Sequence, residues 1–350
     1  MIGYRAGYRS SGFSGIYIGS QAGLKSTGGG VYIGRNAGQG VENYSGGNVA
    51  IGYLSGELFM STSDNNVFVG MQAGRYATGS NNTFIGEQAG TGGQTSAPYS
   101  SGQNNTALGY EALKGFTTGH TNIAIGYQAM SEATTTHDSI AIGYQALQYG
   151  GQDNNIGIGY QAGQTISTAR YNVLIGDFAG QYLTTSSENN ENIMIGNAAG
   201  RFADADTNAA HYNVYIGSGA GYYLDDGAFN VIIGKEAGKS ASGTQRNAIR
   251  NVILGMEAAK DITTGDDNVI LGYQAGDEIT SAPRNTLIGY QAGDTITNGE
   301  QNILIGYGAD VNSTAGSNRI GIGHNVSVDA DHKTVIGAST QTVVEFGGDA

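Results

Sequence analysis

The chain contains no cysteine, no tryptophan and only two prolines, and its 350 residues include just 16 lysines and arginines. Without cysteine there are no disulfides and no thiolate chemistry, although this alone does not fix a compartment. Acidic residues number 29, the formal net charge is −13, and no basic run or stripe occurs. Binding to nucleic acid, which needs cations to release counterions from phosphate, is therefore not expected. Attraction to an anionic membrane surface is not expected for the same reason. No apolar run approaches the length of a membrane span, so direct membrane insertion is not expected. The start, Met1-Ile2-Gly3-Tyr4-Arg5, lacks the basic and apolar regions of a secretory signal. A secreted protein would need a signal that this chain, if it is a fragment, has lost.

Glycine, by contrast, makes up 60 of the 350 residues, far above the usual roughly 7 %. Disordered low-complexity chains are poor in aliphatic and aromatic residues. Here 39 % of residues are hydrophobic and 22 are tyrosine, so a folded repeat is expected. Collagen is excluded because glycine is not every third residue and proline is nearly absent. Take as position 0 the glycine that follows a β-branched residue or leucine. It recurs twenty times from Gly3 to Gly337, at a mean spacing of about 17.6 residues. Full copies read Asn268-Val269-Ile270-Leu271-Gly272-Tyr273-Gln274-Ala275-Gly276 and Asn302-Ile303-Leu304-Ile305-Gly306-Tyr307-Gly308-Ala309. Asparagine stands at −4 in 14 of the 19 copies that reach that far back, and alanine at +3 in 17 of 20.

A short apolar run bounded by Asn and Gly suits a strand better than a helix. Positions −3 and −1 then share one face and −2 takes the other. Both faces are apolar, as in a covered parallel sheet. A coil of this size cannot bury both by itself. One face fills the coil and the other meets identical chains around an axis, since a long exposed apolar stripe would be adhesive. The −2 residues Phe68, Phe84, Ala107, Ala124, Ala141, Leu174, Met194, Ile232, Ile253, Ile270, Leu287 and Leu304 are placed at that axis. The expected architecture is all-β, a parallel β-solenoid of about 20 short coils, assembled as an oligomer around an axis.

In the second half of each coil, Ala at +3 is expected to point inward, and Gly at +4 to turn a corner at positive φ. Asn at −4 is expected to form a hydrogen-bonded ladder along the stack. The solenoid is read as continuous over 1–337, with larger loop insertions near 91–104, 181–191, 201–212 and 239–250. Residues 338–350 form a C-terminal cap, or a remnant leading to a missing segment. Loops on a rigid scaffold carry recognition, and tyrosine favours recognition surfaces. The candidate receptor contacts are therefore Tyr99, Tyr149, Tyr182, Tyr222 and Tyr223. Tyrosine also recurs at +1 in nine copies, where stacking between coils is favoured over sugar binding.

Copies such as Asn122-Ile123-Ala124-Ile125-Gly126 resemble the head repeats of trimeric autotransporter adhesins, which are trimers of left-handed parallel β-rolls. The fuller Asn-x-x-Ile-Gly-Tyr-Gln-Ala-Gly form is similar to repeats in phage tail-fibre proteins and related bacterial fibre proteins. The segment from Lys333 to Gly347 is similar to those that precede the intramolecular chaperone of some tail fibres. These resemblances imply a left-handed parallel β-roll or β-solenoid assembled as a homotrimer, and a non-catalytic structural and adhesive protein on a virion tail, outside a cell or at a cell surface. Its implied partners are its own copies and a cell-surface receptor or glycan.

No catalytic residue, cofactor or metal is expected. The histidines His120, His137, His211, His324 and His332 show no metal-ligand spacing. The acids Asp225-Asp226, Asp266-Asp267 and Asp329, Asp331 read as solvated turns, since Ca²⁺ needs several converging oxygens. Triplets such as Gly157-Ile158-Gly159 are strand residues, without the helix a phosphate cradle requires. An ice- or polysaccharide-binding solenoid is a further alternative. The turn threonines, including Thr117-Thr118 and Thr263-Thr264, are not expected to hold register through the chain.

Overall fold

The structure is a computed structural model. It describes residues 1–10, 14–40, 46–58, 63–93, 99–183, 191–202, 210–240 and 247–337. The chain divides into two compact units, Met1–Asn172 and Val173–Ala350. Each is a parallel β-solenoid of repeated coils, and among the described residues neither contains a helix. Among the described residues the first unit carries nine three-residue strands, from Ile16–Ile18 to Ile156–Ile158. The second carries ten, from Val173–Ile175 to Thr334–Ile336, with a short side pair between Asp310–Val311 and Ser327–Val328. Within a unit each strand pairs in parallel with the equivalent strand of the next coil. Ile123, Ala124 and Ile125, for example, sit against Ile140, Ala141 and Ile142.

Glycine at position 0 ends each strand for two separate reasons. Its φ lies far into positive territory, +131° at Gly126 and +141° at Gly272, a region that side-chain-bearing residues avoid. There is also no room: a Cβ on Gly126 would lie 2.7 Å from the carbonyl carbon of Gly143, and closer still to its oxygen. The glycines stack coil on coil, each closing the space above the last.

Asparagine at −4 starts each strand as a buried ladder. The Asn268 backbone N–H donates to Asn251 Oδ1 at 2.9 Å. Its Nδ2 donates to the same oxygen at 3.1 Å and to the Ala282 carbonyl at 2.9 Å. Its Oδ1 accepts the Asn285 N–H at 2.8 Å. Each amide thus satisfies backbone groups that no strand partner reaches. Ser139 replaces Asn in one rung, and its Oγ accepts the Asn155 N–H at 3.1 Å.

The strand faces are the reverse of the expected arrangement. Phe68, Phe84, Ala107, Ala124, Ala141, Leu174, Met194, Ile232, Ile253, Ile270, Leu287 and Leu304 are 0 % exposed within the single chain. They fill the coil interior, and a side chain enclosed by its own coil cannot line an axis between copies. Alternation along the strand turns the −3 and −1 residues outward instead. Leu108 is 45 % exposed and Ile193 39 %.

Inside the coil, the −2 wall and the turn wall share one fixed volume. Where −2 is Phe68 or Phe84, position +4 is Gly74 or Gly90, and a Cβ there would lie 2.7 or 2.5 Å from the ring Cγ. Where −2 shrinks to Ala107, Ala124 or Ala141, position +4 enlarges to Leu113, Met130 or Leu147, all buried. These three take positive φ values of 52°, 52° and 44°, a strain of about 1–2 kcal/mol each that filling the core offsets.

Candidate functional site

At +1, tyrosines form columns. Tyr110, Tyr127, Tyr144 and Tyr160 stack at centroid separations of 5.2, 5.0 and 5.0 Å. In the second unit Tyr273, Tyr290, Tyr307 and His324 stack at 5.3, 4.8 and 5.1 Å. Next to them the +2 amides link coil to coil, with Gln145 Nε2 donating to Gln128 Oε1 at 3.0 Å. The tyrosine faces are turned to one another, so edges and hydroxyls remain for solvent. A sugar that needs a flat ring face finds none along the middle of these columns.

Of the five tyrosines singled out above, Tyr99 and Tyr149 lie on the first unit. Tyr149 is exposed and Tyr99 half-buried. The insertions near 91–104, which holds Tyr99, near 181–191, which holds Tyr182, and near 201–212 and 239–250 fall partly outside the described residues, at 94–98, 184–190, 203–209 and 241–246. Tyr182, Tyr222 and Tyr223 come together on the second unit. Tyr182, Phe202 and Tyr223 each stand six residues after a repeat glycine and therefore stack in a column. Their separations are 5.1 and 5.2 Å, with interplanar angles of 17° and 16°. Tyr222 lies across this column, at 77° to Tyr223 and 62° to Phe202, with centroids 4.5 and 5.3 Å away.

Arg201 fixes this arrangement. Its guanidinium lies 4.5 Å over the Phe178 ring. It donates through Nε to Gln181 Oε1 at 2.9 Å and through Nη1 to Tyr222 Oη at 3.2 Å. Beside Tyr222 and Tyr223 opens a cleft of about 310 Å³, lined also by Asn197, Ala198, Ser218, Gly219, Glu236 and Lys239. Lys239 Nζ pairs with Glu236 Oε2 at 3.2 Å. Phe202 and Arg201 were missed by sequence reasoning. Counting six from Gly176, Gly196 and Gly217 across the uneven spacing would have aligned the column.

Several of the other polar residues noted in the sequence are engaged in the scaffold. His120 and His137 stack at 3.9 Å, and His137 Nδ1 accepts the His120 N–H at 3.1 Å. Asp267 forms a two-pronged pair with Arg250 at 2.6 and 2.9 Å. Asp331 is held below the usual carboxylate range by the Ser317 N–H and by Arg319, and Asp329 likewise by Lys333. Among the described residues no group of three or more His, Cys, Asp or Glu is placed to hold a metal ion. The threonines do come into register over short runs. Thr263 Oγ1 donates to the Thr280 carbonyl at 3.0 Å, and Thr280 Oγ1 to that of Thr297 at 3.1 Å. Their hydroxyl protons are therefore turned along the stack.

One acidic column is pH-sensitive. Burial first, and then the hydrogen bond and charge of Asp294, push the Asp310 carboxyl up to about 6, against the lowering effect of Thr295. Thr295 Oγ1 donates to Asp310 Oδ2 at 2.5 Å. Asp277 is raised as well, by burial and then by Glu278, Asp294 and Asp261. A carboxyl raised above its unfolded value binds its proton more tightly in the folded state. The second unit therefore gains stability as pH falls from 7 through about 6 toward 4. Because Asp310 is partly solvated, the gain is on the order of 1 kcal/mol after screening. Denaturant melts at pH 7 and pH 5 check this, and Asp310→Asn is expected to be the more stable protein at pH 7 and to flatten the dependence.

No protein-family model matches the chain, and no curated protein matches it.

Proposed function

We propose that this chain is a subunit of a structural and adhesive fibre, a homotrimer of left-handed parallel β-rolls of about 20 coils each. In this reading it is the shaft or head of a virion tail fibre, presents a receptor-contacting surface and carries no catalytic activity. The observation that supports it is the outward row of −3 and −1 aliphatic residues in each unit, including Leu108, Ile123 and Ile142 in the first and Ile193, Val252 and Ile303 in the second. Over one unit this row recurs from coil to coil, so the exposed apolar patch grows with every coil added. Monomeric proteins rarely leave such a patch open. A second copy carries the same row at the same coil spacing of about 4.8 Å, so the row is its own complement. The three-fold count comes from the resemblance to trimeric β-roll proteins.

The Asn122-Ile123-Ala124-Ile125-Gly126 form of the repeat favours a second placement, the head of a cell-surface trimeric adhesin or an extracellular filament subunit. Both placements have the protein contact a cell surface. Labelled protein incubated with a panel of bacterial cells and isolated envelopes tests this directly. Saturable retention on a subset of surfaces is expected. Retention on none, or cleavage of an envelope polysaccharide, would overturn the reading.

A further inference from the structure

The aromatic cluster of the second unit contains one ring set differently from the rest. Phe202 has both faces covered, by Tyr182 on one side and Tyr223 on the other, and the ring edges point out of the column. Tyr222 lies across the edges of Phe202 and Tyr223. These are its only ring contacts among the described residues, and the ring also lines the cleft beside the column. Arg201 holds the ring through its hydroxyl, and a platform fixed in this way loses little freedom on binding.

The rim of the cleft is polar but electrically balanced. Glu236 and Lys239 pair with each other at 3.2 Å. Asn197 and Ser218 add an amide and a hydroxyl. Arg201 lies over Phe178 and is engaged by Gln181 and Tyr222, so its charge serves the scaffold. The volume, about 310 Å³, is at the small end of ligand pockets. A small ligand with one flat apolar face, a ring of hydroxyls and no net charge fits all three features.

From this we infer that the Tyr222 cleft is a binding site for one or two units of a neutral saccharide. The C–H face of a hexopyranose lies on Tyr222, and its hydroxyls reach Asn197, Ser218 and the Glu236–Lys239 pair. This rests on the adhesive reading above and names the chemistry of its target.

The test is saturation-transfer NMR on the intact protein with methyl glucopyranoside, methyl galactopyranoside and methyl N-acetylglucosaminide, and with methyl glucuronoside as the charged control. At least one neutral glycoside is expected to receive saturation, strongest on the protons of its apolar face. Tyr222→Ala is expected to weaken that binding about tenfold or more, as for a buried aromatic anchor. Tyr222→Trp retains it, and Tyr171→Ala, at an exposed ring of the first unit, leaves it unchanged. Asn197→Ala weakens it without disturbing the ring column, which separates ligand contact from local unfolding. No transfer to any neutral glycoside, equal transfer in Tyr222→Ala, or preference for the glucuronoside would each overturn the inference. If cells are still retained when no glycoside binds, only the saccharide site fails. If cells are not retained either, the adhesive reading fails with it.

Discussion

Gly126→Ala is expected to destabilise the first unit by about 4 kcal/mol or more, since it combines backbone strain with a steric clash. At φ +131° an alanine is strained wherever it sits. Its Cβ would also press into the Gly143 carbonyl group, a backbone atom held by the next coil. Relief requires separating two coils, which breaks the ladder on both sides of the change. Gly163→Ala is the control. Its φ is +59°, a conformation that Leu113, Met130 and Leu147 adopt at the same point of other coils, and its cost is about 1 kcal/mol. Chemical denaturation of the two variants should rank them in that order. Equal losses would mean that the stacked glycines are not what sets the coil.

Asn268→Ala is expected to cost about 3 kcal/mol in the second unit, because it strands buried backbone groups without replacing their partners. The Ala282 carbonyl loses its amide donor and the Asn285 N–H loses its acceptor. Both lie where water cannot substitute without opening the coil. Asn268→Ser is expected to cost less. Ser139 already occupies one rung, accepting the Asn155 N–H through its hydroxyl. Asn268→Asp should cost at least as much as Asn268→Ala, since a buried carboxylate would face the Asn251 Oδ1 and Ala282 carbonyl oxygens with no proton to donate. Hydrogen exchange at the Asn285 amide reads the local effect. Protection of that amide in Asn268→Ala equal to the unaltered protein would contradict the ladder.

The coil repeat was legible because each of its fixed positions has a requirement that few residue types meet. Position 0 needs glycine for φ and for space. Position −4 needs a side chain that both donates and accepts, and +3 needs one as small as Ala275 or Ala292, both buried. What could not be read from apolarity was which strand face turns inward, because −3, −2 and −1 are all hydrophobic. A clue was nevertheless present in the parity of the strand. Positions −4 and −2 lie on the same side, and a ladder of asparagines bonded to each other belongs inside. Asn122 and Ala124 are accordingly buried together, while Ile123 and Ile125 face out. The exchange of bulk between Ala124 and Met130 was also visible as a departure from glycine at +4. It makes sense only once the two walls are known to face each other.

The candidate site was legible only in part. Tyr182, Tyr222 and Tyr223 stood out as aromatic residues in irregular stretches. Their assembly depends on the coil register passing unchanged through insertions of unequal length, and Phe202 and Arg201 complete it from within that register. Tyr99 and Tyr149, chosen on the same grounds, lie on the first unit. An aromatic residue near an insertion is thus informative only together with its count from the repeat glycine.

The outward aliphatic row is the feature on which the fibre reading turns, and the mass of the protein in solution tests it most directly. One chain has a mass of 36.0 kDa. Light scattering or mass photometry is predicted to show three chains per particle, and paired substitutions on the row, Ile123→Asp with Ile142→Asp, are predicted to shift that population toward single chains. A stable particle of one chain at micromolar concentration, with the row unaltered, would contradict the account.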